Sequence, residues 1–127
     1  MTSSNDAPIS VAKDPSERFN QFFSSAASSR QIWLLIDEHG SVLLSAEDED
    51  CVPVWPSEQH ALLWATGDWE GFTAEPISTA KWKSRWTAGL EEDELSIIVY
   101  PDENGEGIVL YPEEFEFELV KRENKQR

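Results

Sequence analysis

Apolar residues recur along the chain at two spacings, one typical of helices and one typical of strands. From Phe19 to Ala26 they repeat every three or four positions, which indicates an amphipathic first helix. The preceding Asp14-Pro15-Ser16-Glu17 is a helix-start sequence, with Asp14 as the cap and Pro15 in the first position. We predict that this helix ends near Ser28-Ser29.

The next segments have the composition of short strands. Residues 31–37 (QIWLLID) and 41–46 (SVLLSA) flank the turn sequence Glu38-His39-Gly40, which predicts a β-hairpin. The acidic run that follows, residues 47–50, is predicted to be solvated loop. Residues 51–55 (CVPVW) then form a short strand, in which Pro53 favours an edge position or a strand start.

Two further helices are predicted in the middle of the chain. The first opens at Pro56-Ser57-Glu58 and stops at Gly67. Residues 68–72 are predicted to be loop, and 75–77 to be extended. Ser78 caps the second helix, which runs to about Ala88 and is closed by Gly89. Trp82, Trp86 and Leu90 lie four positions apart and share one face of it.

The last third of the chain predicts a second hairpin and a final helix. Residues 95–101 (LSIIVYP) and 108–111 (IVLY) flank Asn104-Gly105, a typical hairpin turn. Residues 115–119 alternate as a strand would, but Pro112 with two acids after it favours a helix N-terminus. We therefore predict an α+β fold: an antiparallel or mixed sheet built from two hairpins plus a short strand, with about four helices packed on it.

A chain of 127 residues is expected to form a single domain with one core. We predict a disordered tail over residues 1–11, an α+β domain over 12–122 and a frayed C-terminal tail over 123–127. Six Trp, six Phe and two Tyr supply large apolar surfaces for that core.

Acidic residues are concentrated in two stretches without a single Lys or Arg. Ten Asp or Glu lie between Asp37 and Glu75 and eleven between Glu91 and Glu118, which is 21 of the 25 in the chain. With a net charge of −15, the protein is expected to repel nucleic acid and anionic lipid. Like charges held this close repel one another, a cost usually tolerated for solubility or for a basic partner.

The sequence contains no complete catalytic or metal-binding motif. Cys51 and His60 are the only conceivable nucleophile and base, but nothing in their spacing requires that they meet. A buried thiol and a helix-surface histidine are the simpler interpretation. Zinc is disfavoured by the single Cys and two His, and the acidic loops lack the twelve-residue calcium pattern. We expect no cofactor, and the lone Cys and absence of a signal sequence or a long apolar run favour a cytoplasmic location.

The order of landmarks resembles a bacterial family known as domain of unknown function 2750. These landmarks span about residues 19–119: Trp33 before a hairpin, Val52-Pro53-Val54-Trp55 opening a helix, Gly67-Asp68-Trp69, the Trp82–Trp86 helix, Gly89-Leu90-Glu91-Glu92-Asp93 and the closing Val109-Leu110-Tyr111-Pro112-Glu113-Glu114. The resemblance implies no activity and no catalytic residues.

Three functional hypotheses follow from the sequence. The first is a non-enzymatic module whose acidic loops and loop aromatics bind a basic protein, as an inhibitor, immunity or regulatory factor. The second is a ligand-binding or carboxylate-dependent enzyme domain with an aromatic pocket near Trp55, Trp69 and Phe72. The third is an acidic surface that serves solubility alone. The candidate partner-binding residues are Glu47, Asp48, Glu49, Asp50, Trp69, Phe72, Glu91, Glu92, Asp93, Glu94, Asp102, Glu103 and Glu106.

Overall fold

The computed structural model of the chain describes residues 11–125, and it confirms the α+β class. The helices are α1 (Pro15–Ser29), α2 (Glu58–Trp64), α3 (Thr79–Lys81), α4 (Thr87–Glu92) and α5 (Pro112–Lys125). The strands are β1 (Gln31–Asp37), β2 (Gly40–Ser41), β3 (Leu44–Ala46), β4 (Glu49–Val54), β5 (Thr73–Ser78), β6 (Ser96–Val99) and β7 (Ile108–Leu110). A π-helical turn, Trp82–Trp86, joins α3 to α4 into one continuous helix, and a 3-10 turn, Gly67–Trp69, follows α2.

The strands form two small sheets that meet through one pair of tryptophans. The first sheet is antiparallel in the order β2-β1-β5, and the second is mixed in the order β3-β4-β6-β7. Between them, the amide of Trp33 donates to the carbonyl of Trp55 at 3.1 Å, and the amide of Trp55 donates to the carbonyl of Trp33 at 2.9 Å. The two sheets are therefore hydrogen-bonded to each other where β4 ends.

The parallel pairing of β4 with β6 determines which residues lie at each end of the second sheet. Cys51 pairs with Ser96 at the start of this pair and Val54 pairs with Val99 at its end. The residues after the strands, Trp55 and Tyr100, consequently leave the sheet side by side. Because carboxyl ends of neighbouring parallel strands form a crevice that often binds ligands in α/β sheets, this edge is where a site is expected.

An aromatic cluster from three helices fills the centre of the core. The ring centre of Phe115, in α5, lies 5.7 Å from that of Phe22 and 5.1 Å from that of Phe23, both in α1. It lies 4.9 Å from the ring centre of Trp82. All four side chains are fully buried. Tilted and edge-to-face rings bury large areas and are favoured geometrically, so few side chains are needed to close the core.

The predicted helix starts are confirmed at three caps. Asp14 accepts a hydrogen bond from the amide of Ser16, and Ser57 accepts one from the amide of His60. Ser78 likewise caps α3 by accepting from the amide of Lys81. Each cap satisfies an amide that has no partner within its own helix.

The first predicted hairpin and the loop after it are wrong in detail. Residues 41–46 split into β2, which pairs with β1 at only two positions, and β3, which pairs with β4. Glu47 and Asp48 alone make the turn between β3 and β4, with φ of 53° and 64°, so Glu49 and Asp50 belong to β4 rather than to a loop. A two-residue turn with both φ values positive matches the twist of a hairpin, so no longer loop is needed.

Two helix ends also differ from prediction. α2 ends at Trp64, and Gly67 lies in the 3-10 turn that follows. The helix predicted to close at Gly89 continues through Gly89 to Glu92. Leu90 is buried, so extending the helix past Gly89 places an apolar side chain in the core, a gain that exceeds the roughly 1 kcal/mol propensity cost of one helical glycine.

The structure describes little of the predicted N-terminal tail but most of the predicted C-terminal one. Residues 1–10 and 126–127 lie outside the described residues, so most of the predicted N-terminal tail does too. At the other end α5 continues to Lys125, where a frayed tail is predicted from Glu123 onward. Glu123 is buried and accepts hydrogen bonds from Lys83 and Thr79, which anchor the last turn. Among the described helices, none has the length and apolar character required to cross a bilayer.

Candidate functional site

A cleft of about 560 Å³ opens at the edge where β4 and β6 end. Trp55 and Tyr100, the residues that follow the two strands, both line it. α2 contributes His60, Leu63 and Trp64 to the opposite side. Known small-molecule sites have volumes of roughly 300–1,000 Å³, so the cleft is large enough for a metabolite-sized ligand.

Aromatic rings form much of the wall of the cleft. Trp55 is fully buried and packs against Trp64, with ring centres 5.2 Å apart and an interplanar angle of 49°. The indole Nε1 of Trp64 donates to the carbonyl oxygen of Asp102 at 2.7 Å, which fixes that ring against the β6–β7 loop. His60 meets the ring of Tyr100 edge-on at 5.4 Å. The wall is therefore held by contacts between α2 and the residues that follow β6.

Arg18, from the first turn of α1, is buried beside the cleft with only 1% of its surface exposed. Its guanidinium donates four hydrogen bonds, all to backbone carbonyls. The acceptors are Tyr100 (2.9 Å, from Nε), Ala12 and Lys13 (2.8 and 2.9 Å, from Nη1) and Glu106 (3.1 Å, from Nη2). No carboxylate within residues 11–125 forms an ion pair with it. Arg18 thus joins three walls of the cleft while retaining a buried charge.

Tyr100 has an unusual backbone conformation for its residue type. Its φ is +48°, in the left-handed region that a bulky side chain rarely occupies. Burial raises the pKa of its phenol, although the nearby charge of Arg18 acts in the opposite direction. Such strained backbone is concentrated at functional sites, where the surrounding structure enforces it.

Three buried polar atoms in the described part of the chain have no hydrogen-bond partner, and two of them belong to cleft residues. These two are Nε1 of Trp55 and Oη of Tyr100; the third, Nε1 of Trp82, lies in the aromatic core. A buried donor without an acceptor costs about 1–3 kcal/mol, so native proteins keep few of them. Two in one cleft suggest that the cleft contributes something other than stability.

Cys51 and His60, considered as a nucleophile and base pair, lie at opposite ends of the sheet. Cys51 pairs with Ser96 where β4 and β6 begin, whereas His60 lines the cleft where they end. Burial, and after it the charge of Glu49, raises the pKa of the Cys51 thiol to about 11. The Nδ1 atom of His60 lies 2.6 Å from Oγ of Ser57, the cap of α2. The thiol is therefore an inert core group, and His60 is half-buried at the cleft rather than on an open helix surface.

The acidic candidates fall into two groups at opposite ends of the second sheet. Residues 47–50 and 91–94 both precede the parallel pair, because β4 begins at Glu49 and β6 begins at Ser96. Oγ of Ser96 donates to Oε1 of Glu49 at 2.9 Å, so the two runs are adjacent. We call these eight residues the acidic edge. Asp102, Glu103 and Glu106 follow β6 and lie at the cleft end instead.

Trp69 and Phe72 are half-buried and pack back onto the domain. Trp69 stacks on Trp64 with ring centres 5.9 Å apart and an interplanar angle of 26°. Phe72 packs edge-on against Trp69, with ring centres 5.6 Å apart. Neither residue lines the cleft, but Trp69 packs against Trp64, which does. The pocket expected near Trp55, Trp69 and Phe72 is centred instead on Trp55, Trp64 and Tyr100.

Sequence reasoning does not find the polar half of the cleft. Arg18 looks like an ordinary solvated position of an amphipathic helix, since it lies next to Phe19 among polar residues. Tyr100 belongs to a predicted strand, and its positive φ has no sequence signal because the following Pro101 favours extended backbone. The only usable signal is that both parallel strands are followed by an aromatic residue and then proline, Trp55-Pro56 and Tyr100-Pro101.

Three basic residues, Lys81, Lys83 and Arg85, lie in α3 and the π-helical turn after it, and not all of them are available to a partner. Lys83 forms a 2.6 Å ion pair with the buried Glu123. Lys81 and Arg85 are exposed and border a shallower groove that also includes Trp86 and Asp93. Within residues 11–125, no group of three or more His, Cys, Asp or Glu side chains is arranged to hold a metal ion.

Comparison with known families supports the resemblance seen in the sequence. A family described as protein of unknown function (DUF2750) matches residues 19–119, most of the chain. The chain belongs to this family. No curated protein matches it. The matched range includes every cleft residue from α2 and from the ends of β4 and β6, but it begins one residue after Arg18.

Proposed function

We propose that this DUF2750 protein binds a small molecule in the cleft at the carboxyl ends of β4 and β6. The observation that carries the proposal is the pair of cleft residues, Trp55 and Tyr100, whose buried polar atoms have no partner within residues 11–125. A fold under selection for stability alone would replace such groups by apolar ones of the same shape. Retaining them is understandable if a ligand uses them.

Three further features support the same location. The cleft has the volume of a metabolite site, and its wall combines the rings of Trp55, Trp64 and Tyr100 with several polar and charged side chains. It lies where parallel strands end, a frequent binding position. Tyr100, at its centre, has strained backbone that Arg18 holds in place through the Tyr100 carbonyl.

We propose binding rather than catalysis at this site. Ser57 and His60 are hydrogen-bonded through Oγ and Nδ1, as a nucleophile and base would be. However, Ser57 accepts from the amide of His60 as the cap of α2, and it does not line the cleft. Its hydroxyl therefore serves the start of the helix and is not presented to a ligand.

Two neighbouring leucines of α2 provide a matched test. Leu63 is 51% exposed and lines the cleft, whereas Leu62 is 46% exposed and does not. Leu63→Trp should obstruct the cleft by its bulk without adding charge and Leu62→Trp should not, while both leave the core intact. A ligand library is screened by thermal shift and its hits are measured by calorimetry; a ligand at 100 times its dissociation constant stabilises a fold by about 2.7 kcal/mol. Hits that bind both variants equally would contradict the proposal.

A second candidate function is binding of a basic protein through the acidic edge. Its support is that β4 and β6, which begin within or just after these two acidic runs, are parallel neighbours and are joined near their starts by the Ser96–Glu49 hydrogen bond. Acids of two distant sequence runs thus lead into neighbouring strand starts, whereas Asp102, Glu103 and Glu106 follow β6 at its other end. A concentrated field of one sign accelerates association with a partner of the opposite sign and is weakened by salt.

This second candidate is tested by neutralising the edge. The variant Glu91→Gln/Glu92→Gln/Asp93→Asn removes three exposed charges, and Glu70→Gln/Glu75→Gln/Glu103→Gln removes three exposed charges elsewhere. Proteins that co-purify with the tagged chain from native extract at low and at physiological salt are then compared. We expect the first variant alone to lose a basic, salt-sensitive partner. Equal recovery with both variants would indicate an acidic surface that serves solubility only.

A further inference from the structure

Building on the proposed ligand site, we infer that the ligand carries an anionic group, such as a carboxylate or phosphate, that is recognised by Arg18, Tyr100 and Trp55. The inference concerns the chemistry of the ligand and would fail separately from the existence of the site. It begins with the hydrogen-bonding capacity of the three side chains.

Arg18 is a buried cation with one donor to spare. A guanidinium has five N–H groups, and those of Arg18 make four hydrogen bonds, to Tyr100, Ala12, Lys13 and Glu106. The fifth, on Nη2, has no acceptor within residues 11–125. The carbonyl acceptors satisfy hydrogen bonds but carry no net charge, so the positive charge has no counter-ion among residues 11–125.

The other buried ionic side chain of the described residues shows the contrast. Glu123, 7% exposed, is paired with Lys83 at 2.6 Å and also accepts from Thr79. A buried charge is ordinarily paired in this way, because leaving it unpaired costs several kcal/mol. Arg18 departs from this rule at the wall of a cleft in a protein whose net charge is −15.

The two unpartnered atoms of the cleft have the same polarity as the spare Arg18 donor. Nε1 of Trp55 can only donate a hydrogen bond, and Oη of Tyr100 can donate one. Residues that line the cleft therefore carry three donors without acceptors among residues 11–125, and an acceptor-rich group would satisfy them. A carboxylate or phosphate oxygen supplies several acceptor positions and the missing negative charge at once.

The carboxylates near the cleft do not meet this need. Oδ1 of Asp102 accepts from the amides of Asn104 and Glu106 and so stabilises its own loop. Glu103 is exposed to solvent. Nε1 of Trp55 and Oη of Tyr100 are themselves shielded from solvent, so we expect their rings to turn toward the anion as it binds. The ligand class is thus a small molecule with a flat apolar body, which packs on Trp64, and one anionic group.

The inference is tested with probes that differ only in the polar group. Indole-3-acetate, indole-3-acetamide and tryptamine, with the corresponding naphthalene set and inorganic phosphate, are titrated into the full chain and followed by proton–nitrogen NMR. We expect the carboxylates to bind at least tenfold more tightly than the amides, and the amines to bind more weakly still. Added salt should weaken the carboxylates most.

Two readouts connect the affinity to named atoms. The Nε1–H resonance of Trp55 should shift on carboxylate binding, while that of Trp82, equally unpartnered but outside the cleft, should not. Tyr100→Phe keeps the ring and removes the hydroxyl. It should weaken the carboxylates about fivefold, equivalent to one hydrogen bond of about 1 kcal/mol, and the amides less than twofold.

The outcomes separate the inference from the proposed function. Amide or amine probes that bind as tightly as the carboxylates, and that Leu63→Trp excludes, would overturn the anionic ligand while supporting the cleft as a site. Carboxylates that bind without shifting the Trp55 resonance, or that bind Leu63→Trp normally, would overturn the assignment to these residues. No binding by any probe at millimolar concentration would count against both.

Discussion

Nε of Arg18 donates a 2.9 Å hydrogen bond to the carbonyl oxygen of Tyr100, 82 positions further along the chain. This contact joins the start of α1 to the end of β6, and the other guanidinium hydrogens hold Ala12, Lys13 and Glu106 around it. One side chain therefore organises backbone from three distant segments. Ala12, Lys13 and Tyr100, whose carbonyl groups all bind Arg18, line the cleft together with Trp55.

Replacement of Arg18 should destabilise the fold strongly. Arg18→Met fills part of the volume but leaves four carbonyl groups without their donor, so we expect a loss of roughly 3–5 kcal/mol in the free energy of unfolding. Arg18→Lys retains the charge with fewer donors and should lose less. Urea unfolding of both variants, followed by circular dichroism, measures this. A loss below about 1 kcal/mol in Arg18→Met would show that water replaces the guanidinium without cost.

Tyr100→Phe should have the opposite effect on the unliganded protein. The substitution removes a buried hydroxyl that has no partner within the described residues and keeps the packing of the ring against His60. We expect a gain of about 1 kcal/mol, because the hydroxyl no longer has to be desolvated. Thermal unfolding without ligand provides the measurement. A clear loss of stability would mean that the hydroxyl is already hydrogen-bonded, and would remove the main support for the cleft as a site.

The fold could be predicted from the sequence largely because its local signals agree with its packing. Asp14, Ser57 and Ser78 are caps both by residue type and in the structure, and the final helix follows from Pro112 and the two acids after it. The errors occur where tertiary contacts prevail over local preference. The helix continues past Gly89, where Leu90 packs into the core. Glu49, predicted to lie in a loop, belongs to β4 because it pairs with Ala46 of β3.

The candidate site was less accessible to sequence reasoning because it depends on long-range geometry. The closeness of Arg18 to Tyr100 and the parallel pairing of β4 with β6 have no local signature. Trp55 is expected near an aromatic-lined pocket together with Trp69 and Phe72, and of these three residues only Trp55 lines the cleft. The acids were visible as runs, but only the pairing of Cys51 with Ser96 shows which runs are neighbours.

Glu123 should make stability depend on pH in the acidic range. Burial alone raises the pKa of this carboxyl, but hydrogen bonds from Lys83 and Thr79 outweigh it and hold the pKa below its ordinary value. A lowered pKa stabilises the fold above the unfolded-state pKa, and this contribution is lost as pH falls through the folded-state value. We therefore expect Glu123→Gln to be less stable than the parent by about 2 kcal/mol at neutral pH.

The measurement is urea unfolding of both proteins between about pH 7 and pH 2, since the unfolded carboxyl titrates near 4.3. The difference between them should be constant above about pH 5 and should shrink below it. Lys121→Ala, which removes a more exposed partner of Glu118 at 3.5 Å, is the control and should change stability by less than about 1 kcal/mol. A difference that does not vary with pH would exclude the ion pair as its source.

Cys51 should be unreactive until the protein unfolds. Its side chain is fully buried, and burial together with Glu49 raises its pKa to about 11, so the reactive thiolate is scarce. We expect alkylation by iodoacetamide at pH 8 to be slow in the native state and to accelerate in parallel with unfolding as urea is added. Mass spectrometry gives the extent of labelling. Rapid, complete labelling of native protein would show that the β3–β4 hairpin opens independently of the rest.

Two glycines should respond oppositely to the same added methyl group. A Cβ atom at Gly107 would lie 2.8 Å from the carbonyl oxygen of Val99 and 3.3 Å from Cα of Pro101, both backbone atoms next to the cleft. At Gly89, in α4, a Cβ atom would meet nothing within 4 Å. We expect Gly107→Ala to lower the free energy of unfolding by about 1–3 kcal/mol through overpacking, and Gly89→Ala to raise it by up to about 1 kcal/mol through helix propensity.

Urea unfolding of the two variants under identical conditions tests this pair. Because Gly107 lies against Val99 and Pro101, on either side of Tyr100, Gly107→Ala should also disturb the Trp55 and Trp64 indole resonances, whereas Gly89→Ala should leave them unchanged. Equal stability of Gly107→Ala and the parent would mean that the β6–β7 loop moves away freely. In that case Glu106, whose carbonyl accepts from Arg18, could not be a fixed part of the cleft wall.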